Sequence, residues 1–471
     1  MHPERKITRI MSITILLPVL FLLGIILIAL EDFTKVNKAA VSVTMCITMW
    51  MVLLTHMEEV LQLSRPAIVE AFYKAWPNDM AAMSDSQIAG EYFKWLLDNS
   101  LGNVASTLFF VLASMAVVEI LDANGAFRVI TKSIHTRSKR SLVWVFAFVT
   151  FFLSAVLGNL ATVIIMIAVM RKIIPDRDSR LPYSCLSIIA ANAGGCWSPI
   201  GDVTTLLLWS AKNISAGHQV THLILPALVM LVLPSLCVAL SFKKGERFED
   251  NLLADEQPLP AYLTHKVQSI LLLIGILSLA LVPFMQTLFN LPPYMCVMFG
   301  LALLWIVTDR LASMSSDPRA GDLKVSKLFA HLDIATVLFF LGVLMSVDAL
   351  KEVGSLTVLA DAMNKAIPQP NFIAMILGVC SSVLDNVALV AATMGMYPLA
   401  AAGAFAADSS FWTFLAFCAV TGGSILIIGS ASGVTVMGLE KVKFGYYLKK
   451  FTPLAILGYA AGSALYLLLL A

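Results

Sequence analysis

Asp202 closes the run Gly194-Gly195-Cys196-Trp197-Ser198-Pro199-Ile200-Gly201 and is followed by Val203, Thr204 and Thr205, all inside an apolar stretch over 184–209. Proline removes a backbone donor and clashes with the preceding turn, and glycine loosens the backbone, so a helix through this stretch must break near Pro199. A break frees carbonyls on one side and amides on the other. The Asp202 carboxylate and the Thr204 and Thr205 hydroxyls add oxygens beside them. One carboxylate among neutral oxygens suits a hard cation such as sodium or lithium and is poor for soft metals. The bland alternative is a structural kink in which Asp202 only caps a helix.

The same chemistry recurs at an offset of 227 or 228 positions. Ser154-Ala-Val-Leu-Gly158-Asn159 matches Ser381-Ser-Val-Leu-Asp385-Asn386, and Gly194-Gly195 through Gly201-Asp202 matches Gly422-Gly423 through Gly429-Ser430. Met115-Ala-Val-Val and Met345-Ser-Val-Asp348 form a third pair. The second copy keeps glycines and hydroxyls, including Ser430 and Ser432, but has no carboxylate at the position of Asp202; Asp385 at the Asn motif supplies one instead. Ser154, Asn159, Ser381 and Asn386 read equally as neutral ligands and as caps of the chain reversals that hold them. Asn192 stands just before the first glycine pair. Asp348 and Glu119 lie near helix ends, where an acid either serves the site or snorkels toward water.

The elements that must position these residues are membrane helices. The 471-residue chain is 59% hydrophobic and 13% charged, beyond what a soluble chain of this length carries. Apolar runs near 10–30, 39–57, 102–122, 184–209, 219–241, 267–290, 294–308, 331–350, 411–438 and 452–470 approach the roughly 20 residues a spanning helix needs. Two more, 141–174 and 371–400, are interrupted by the Asn motifs. The first thirty residues read as a retained helix, and nothing there resembles a transit peptide, which favours a bacterial inner (plasma) membrane. The net charge of +2 and scattered Lys and Arg exclude a nucleic-acid partner, and the seven cysteines lack metal-ligand spacing.

Loops 123–140 and 171–180 are both basic, and the positive-inside rule puts both in the cytoplasm. The apolar segment between them must then enter and return, turning near Gly158-Asn159. Such a reversal at membrane depth needs protein or a water-filled cavity around it. Continuing the count places 242–266, 309–330 and 439–450 on the same face, and the two copies come out inverted. The expected fold is therefore an all-α polytopic membrane protein with two inverted-topology repeats, each with a re-entrant hairpin and an interrupted transmembrane helix. Its parts are 1–101, N-terminal helices and an amphipathic loop; 102–241, the first repeat; 242–330, a linker with two helices; and 331–471, the second repeat. Segment 87–101 reads as an interfacial helix laying Tyr92, Trp95 and Leu96 against lipid.

At Asn192 through Thr205, Ser381 through Asn386 and Gly422 through Gly433 the chain resembles the NhaD-type sodium/proton antiporters, and the likeness extends from about residue 100 to the end. The resemblance implies efflux of sodium or lithium in exchange for protons, and hence a role in pH homeostasis. It implies Asn192, Asp202, Thr204, Thr205, Ser381, Asp385 and Asn386 as functional positions, with Asp348 as a further acid. Where the family commonly has Asp-Asn-Leu-Thr at the first tip, this chain reads Gly158-Asn159-Leu160-Ala161 and so lacks one carboxylate and one hydroxyl.

An ionised Asp at the bilayer centre costs about 2.5–3.5 kcal/mol. It is therefore held by a proton or by a cation, and alternating exposure of such a site is exchange. The expected cargo is Na+ or Li+ against H+, bound at Asp202, Thr204, Thr205 and Asp385, with no cofactor and no enzymatic reaction. The lipid bilayer is the surrounding partner, and a homodimer fits an architecture in which a static scaffold lets one unit slide. A sodium-coupled carrier of dicarboxylates or oxyanions is the alternative, but it calls for a cationic side chain or paired half-helix N-termini at the midplane, and no Lys or Arg lies in the broken segments.

Overall fold

The structure, a computed structural model, describes residues 3–63, 66–75, 83–129, 134, 136–248 and 259–470. Lys132 and linker residues 249–258, which charge places in basic loops, lie outside the described residues. The principal helices are α1 (Pro3–Ala29), α2 (Lys38–Thr55), α3 (Asp85–Ala123), α4 (Lys139–Leu157), α5 (Asn159–Ile173), α6 (Arg177–Cys196), α7 (Val203–Ser210), α8 (Ala216–Ser241), α9 (His265–Ala280), α10 (Pro293–Ser313), α11 (Ile334–Glu352), α12 (Pro370–Cys380), α13 (Asn386–Met396), α14 (Ser410–Gly422), α15 (Ala431–Glu440) and α16 (Thr452–Leu470). Among the described residues no strand longer than an isolated bridge occurs, and seven helices are long and apolar enough to cross a bilayer. The chain is a multi-pass helical membrane protein.

Two compact units form. The first gathers Met1–Leu108, Asp333–Pro370 and Val387–Leu399; the second holds Phe109–Leu332, Asn371–Asn386 and Ala400–Ala471. This spatial division runs across the sequence copies and does not follow their boundaries. In the first unit, Gly342 of α11 lies against the backbone of Ser42 and Val43 in α2, and Trp50 Nε1 donates to Met345 O at 3.0 Å. Segment 87–101 is not an interfacial piece but the first half of the 39-residue α3. Tyr92 and Leu96 are buried, and Tyr92 packs edge-on against Phe72 and reaches the Glu352 carboxylate. Amphipathic spacing marks a common face, and here protein rather than lipid covers it.

The second unit holds the broken elements. Ser138 caps α4 by accepting from Ser141 N, Asp176 caps α6 through Ser179 N, and Ser430 caps α15 through Gly433 N. Gly158, at φ +85°, separates α4 from α5 in a backbone conformation that side chains rarely adopt. Collinear, these two helices would measure roughly 50 Å at 1.5 Å per residue. Yet Tyr183 Oη donates to Lys139 O at 2.9 Å and Arg180 Nη1 donates to Ile174 O at 2.6 Å, so both outer ends meet one turn of α6. The chain doubles back at Gly158.

The basic loops gather at one end of this unit. Ser138 pairs with Arg247 in an isolated bridge, and Lys139 Nζ binds Glu246 Oε1 at 2.5 Å, a bond that holds the Glu246 carboxyl below the usual carboxylate range. Glu440 at the end of α15 is fully buried between Arg171 Nε at 2.8 Å and Arg180 Nη2 at 2.9 Å, while Arg177 donates to Glu440 O and Lys441 O. A cavity of about 380 Å³ joins Asp122, Arg128 and Lys172 to Arg319 and Asp322. The described residues of loops 123–140, 171–180, 242–248, 309–330 and 439–450 thus share one end, as their charge requires. At the other end Asp408 N donates to Asn213 O at 2.9 Å and Ser215 N to Asp408 Oδ1 at 2.6 Å. The α6–α7 pair therefore runs from the basic end to Asn213, and the α14–α15 pair runs from Asp408 back to Glu440.

Truncating one member of a buried ion cluster strands the others, at a cost of about 3–5 kcal/mol. Glu440→Ala should lower the thermal unfolding midpoint of the detergent-solubilised protein by several degrees, and an unchanged midpoint would show that the Arg171–Glu440–Arg180 cluster does not hold the basic end together.

Candidate functional site

Helix α6 ends at Cys196 and α7 begins at Val203, so the backbone breaks across Trp197–Asp202, where Pro199 and Gly201 stand. Asp202 adopts extended backbone angles and caps α7, with Thr204 N donating to its Oδ1 at 2.7 Å. Two more donors reach the same carboxylate: Asn159 Nδ2 approaches Oδ2 at 2.6 Å and Asn386 Nδ2 approaches Oδ1 at 3.4 Å. These come from the two matched tips, one on each copy. A single half-buried carboxylate is held by three neutral N–H groups and faces none of the cations that neutralise Glu440. Asp385 directly precedes Asn386 on the second tip, so a second acid stands next to a residue that meets Asp202.

The supporting bonds repeat from copy to copy. Ser154 Oγ donates to Ala191 O at 2.7 Å, and its counterpart Ser381 Oγ donates to Ala419 O at 2.7 Å. Gly194 lies against the Phe151 backbone, and Gly422 lies against the Gly378 backbone, where any Cβ would strike a carbonyl. Each tip is thereby pinned to the helix that precedes a break. The single Ser154 hydroxyl proton is shared between Ala191 O and Asn159 Oδ1, each at 2.7 Å, and both Asn159 N–H groups donate onward, to Asp202 and, at 3.0 Å, to Asn192 Oδ1.

Thr204 Oγ1 is buried beside the Asp202 carboxylate and makes no well-formed hydrogen bond among the described residues, whereas Thr205 Oγ1 donates to Asp202 O at 2.9 Å and keeps its lone pairs. A hydroxyl so placed at the second residue of α7 fits a cation ligand, because a buried polar atom without a well-formed bond costs about 1–3 kcal/mol unless something fills it. Asn192, Ser430 and Ser432 join in one network: Asn192 Nδ2 donates to Ser430 Oγ at 3.2 Å and to Ser424 Oγ at 2.9 Å, and Ser432 Oγ donates to Asn192 Oδ1 at 3.0 Å. The structure thus brings together Ser154, Asn159, Asn192, Asp202, Thr204, Thr205, Asp385, Asn386, Ser430 and Ser432, with Ser381 pinning the second tip. Asp348 belongs to the first unit, where Lys351 Nζ binds it at 2.7 Å.

A family model described as CitMHS, citrate transporter, matches residues 25–414. The chain belongs to the CitMHS family. Sodium/proton antiporter 2 of Arabidopsis thaliana is 36% identical over 95% of this chain and 98% of its own length. Sodium/proton antiporter 1 of the same plant is 42% identical over 79% of this chain, which spans 63% of that longer relative. The Na(+)/H(+) antiporter NhaD of Vibrio cholerae is 28% identical over 80% of this chain and 81% of its own length. The resemblance to NhaD-type antiporters carried by the Asn and Gly-Asp motifs is borne out within CitMHS by these relatives. The family is one of transporters, not enzymes.

Two site-shaping residues escape sequence reasoning. Gln219 of α8 is fully buried and donates from Nε2 to Cys196 O at 3.0 Å, satisfying a carbonyl that the break sets free. Ser424, in the second break, accepts from Asn192. Ser424 lies within the repeated glycine motif but was not singled out as a site residue, and for Gln219 a lone Gln at the start of an apolar run was the one visible signal. Because Thr204 Oγ1 is buried without a well-formed bond, Thr204→Val should stabilise the sodium-free protein by about 1 kcal/mol and weaken sodium binding about tenfold or more. Parallel thermal unfolding and sodium titration of the purified protein check this, and unaltered affinity would remove Thr204 from the ligand set.

Proposed function

We propose that this protein exchanges sodium or lithium for protons across a membrane, with Asp202 as the group that carries one or the other. The observation that carries this reading is the Asp202 carboxylate: half-buried, held by neutral donors from both tips, and set beside a buried threonine hydroxyl that makes no well-formed bond, with a second acid next to Asn386. A carboxylate so placed is stable with a proton or with a cation and costly when bare. Thr204 and Thr205 would complete the shell from α7, and Asp385 would do so from the second tip. The names of the plant and bacterial relatives support the same cargo.

We read the architecture as two inverted repeats with re-entrant hairpins. The reversal at Gly158, the matched Ser–carbonyl bonds and the opposite directions of the α6–α7 and α14–α15 pairs support this. In that reading, residues 102–241 and 331–471 are the copies, the basic end faces the cytoplasm, and the membrane is a bacterial plasma membrane. The half-helix end at Asp202 is occupied by a carboxylate, which repels dicarboxylates and oxyanions. Citrate transport, which the family's description raises, therefore requires cationic groups that the described residues do not bring to Asp202.

The test is dye-reported proton movement in inverted vesicles after addition of sodium, lithium, potassium or citrate. Sodium and lithium should dissipate the proton gradient, potassium and citrate should not, and Asp202→Asn should abolish the response. A citrate-driven signal, or undiminished sodium response in Asp202→Asn, would overturn the proposal.

A further inference from the structure

We infer that the protein binds one cation and not two, because Asn192 fills the second copy's counterpart of the cation site with its own side-chain amide. The inference rests on the reading of Asp202 as a cation ligand and extends it to stoichiometry. Asp202 and Ser430 occupy matched positions with nearly the same backbone, φ −150° and ψ 150° against φ −140° and ψ 152°, and each caps the helix after a break. The duplication therefore offers two equivalent cradles. Their hydrogen-bond accounts differ.

At the second cradle Ser430 Oγ and the Asn192 amide are fully committed. The two Asn192 Nδ2 hydrogens go to Ser424 Oγ and Ser430 Oγ. Ser432 commits its proton to Asn192 Oδ1, so the 2.9 Å contact between Ser430 and Ser432 must be donated by Ser430. Ser430 Oγ also accepts from Gly433 N at 3.2 Å, and Asn192 Oδ1 takes its second bond from Asn159 Nδ2. Asn192, Ser424 and Ser432 are wholly buried, and Ser430 nearly so. A hydroxyl offers one donor and two lone pairs, and an amide oxygen two lone pairs. A cation entering here finds both lone pairs of Ser430 turned to N–H groups, the Asn192 NH2 pointing into the cradle, one lone pair left on each of Ser424 and Ser432, and no carboxylate.

The first cradle has capacity to spare. A carboxylate provides about four lone-pair positions, of which well-formed bonds at Asp202 use three, and Thr204 Oγ1 lies beside it with no well-formed bond of its own. Asn192 is accordingly a positioning residue. It stands in for a bound cation in the second copy, and through Asn159 it fixes the amide that meets Asp202.

The experiment is equilibrium binding of radioactive sodium to the purified full-length protein in lipid nanodiscs, counted per chain. The parent should bind one sodium, Asp202→Asn none, and Asn192→Asp two, since a carboxylate facing three hydroxyls turns the filled cradle into an open one. Two sodium ions in the parent with one retained in Asp202→Asn would overturn the single-site inference while leaving Asp202 as a ligand. One ion in both the parent and Asp202→Asn would instead overturn the role of Asp202 itself. A folded Asn192→Asp protein that still binds one ion would refute the filling role of Asn192, and if that variant does not fold, the first two counts decide.

Discussion

A carboxylate inside a low-dielectric barrier must be compensated, and the broken elements of the second unit exist around that requirement. Coulombic and hydration penalties forbid a bare Asp202, yet a permanent Lys or Arg partner would end any chemistry. The protein holds the group with three neutral N–H donors, which steady the anion without cancelling its charge. Glu440 shows the opposite solution in the same unit, locked between Arg171 and Arg180. One buried acid is spent on architecture and the other is kept available.

The duplication explains how neutral donors arrive from two sides. Each copy pins its tip to the preceding helix through a serine hydroxyl and a glycine contact, and each tip then points an asparagine at the same aspartate. Symmetry of scaffold coexists with asymmetry of chemistry. Ser430 stands in the second copy where Asp202 stands in the first, and its bonds with Asn192, together with that of Ser432, tie the two broken helices together. Motion that exposes Asp202 to either side must therefore carry both tips along or break that network.

Much of this was legible in residue types. Pro199 with its flanking glycines announced the break, the doubled Asn motif announced the tips, and Lys and Arg placement announced which loops share an end. The Asp348–Lys351 ion pair was visible as a spacing of three on a helix. What stayed hidden depends on tertiary neighbours. Nothing in the sequence marks Glu440 as the acid on which Arg171 and Arg180 close, and a lone Gln219 does not say that it will meet the carbonyl of Cys196. Tyr92 and Leu96 were placed on a common face correctly, but periodicity does not say whether lipid or Phe72 lies against that face. That Thr204 Oγ1 is buried without a well-formed bond is likewise a property of packing and not of spacing.

The central claim is that proton and sodium contend for one carboxylate. Its most direct test is the sodium concentration giving half-maximal exchange, measured in vesicles across a pH series. Competition for a single group predicts that this concentration rises about tenfold for each unit of acidification once Asp202 is mostly protonated, with the maximal rate restored at saturating sodium. A half-saturating concentration that stays constant while the maximal rate falls would place the proton elsewhere and contradict the account.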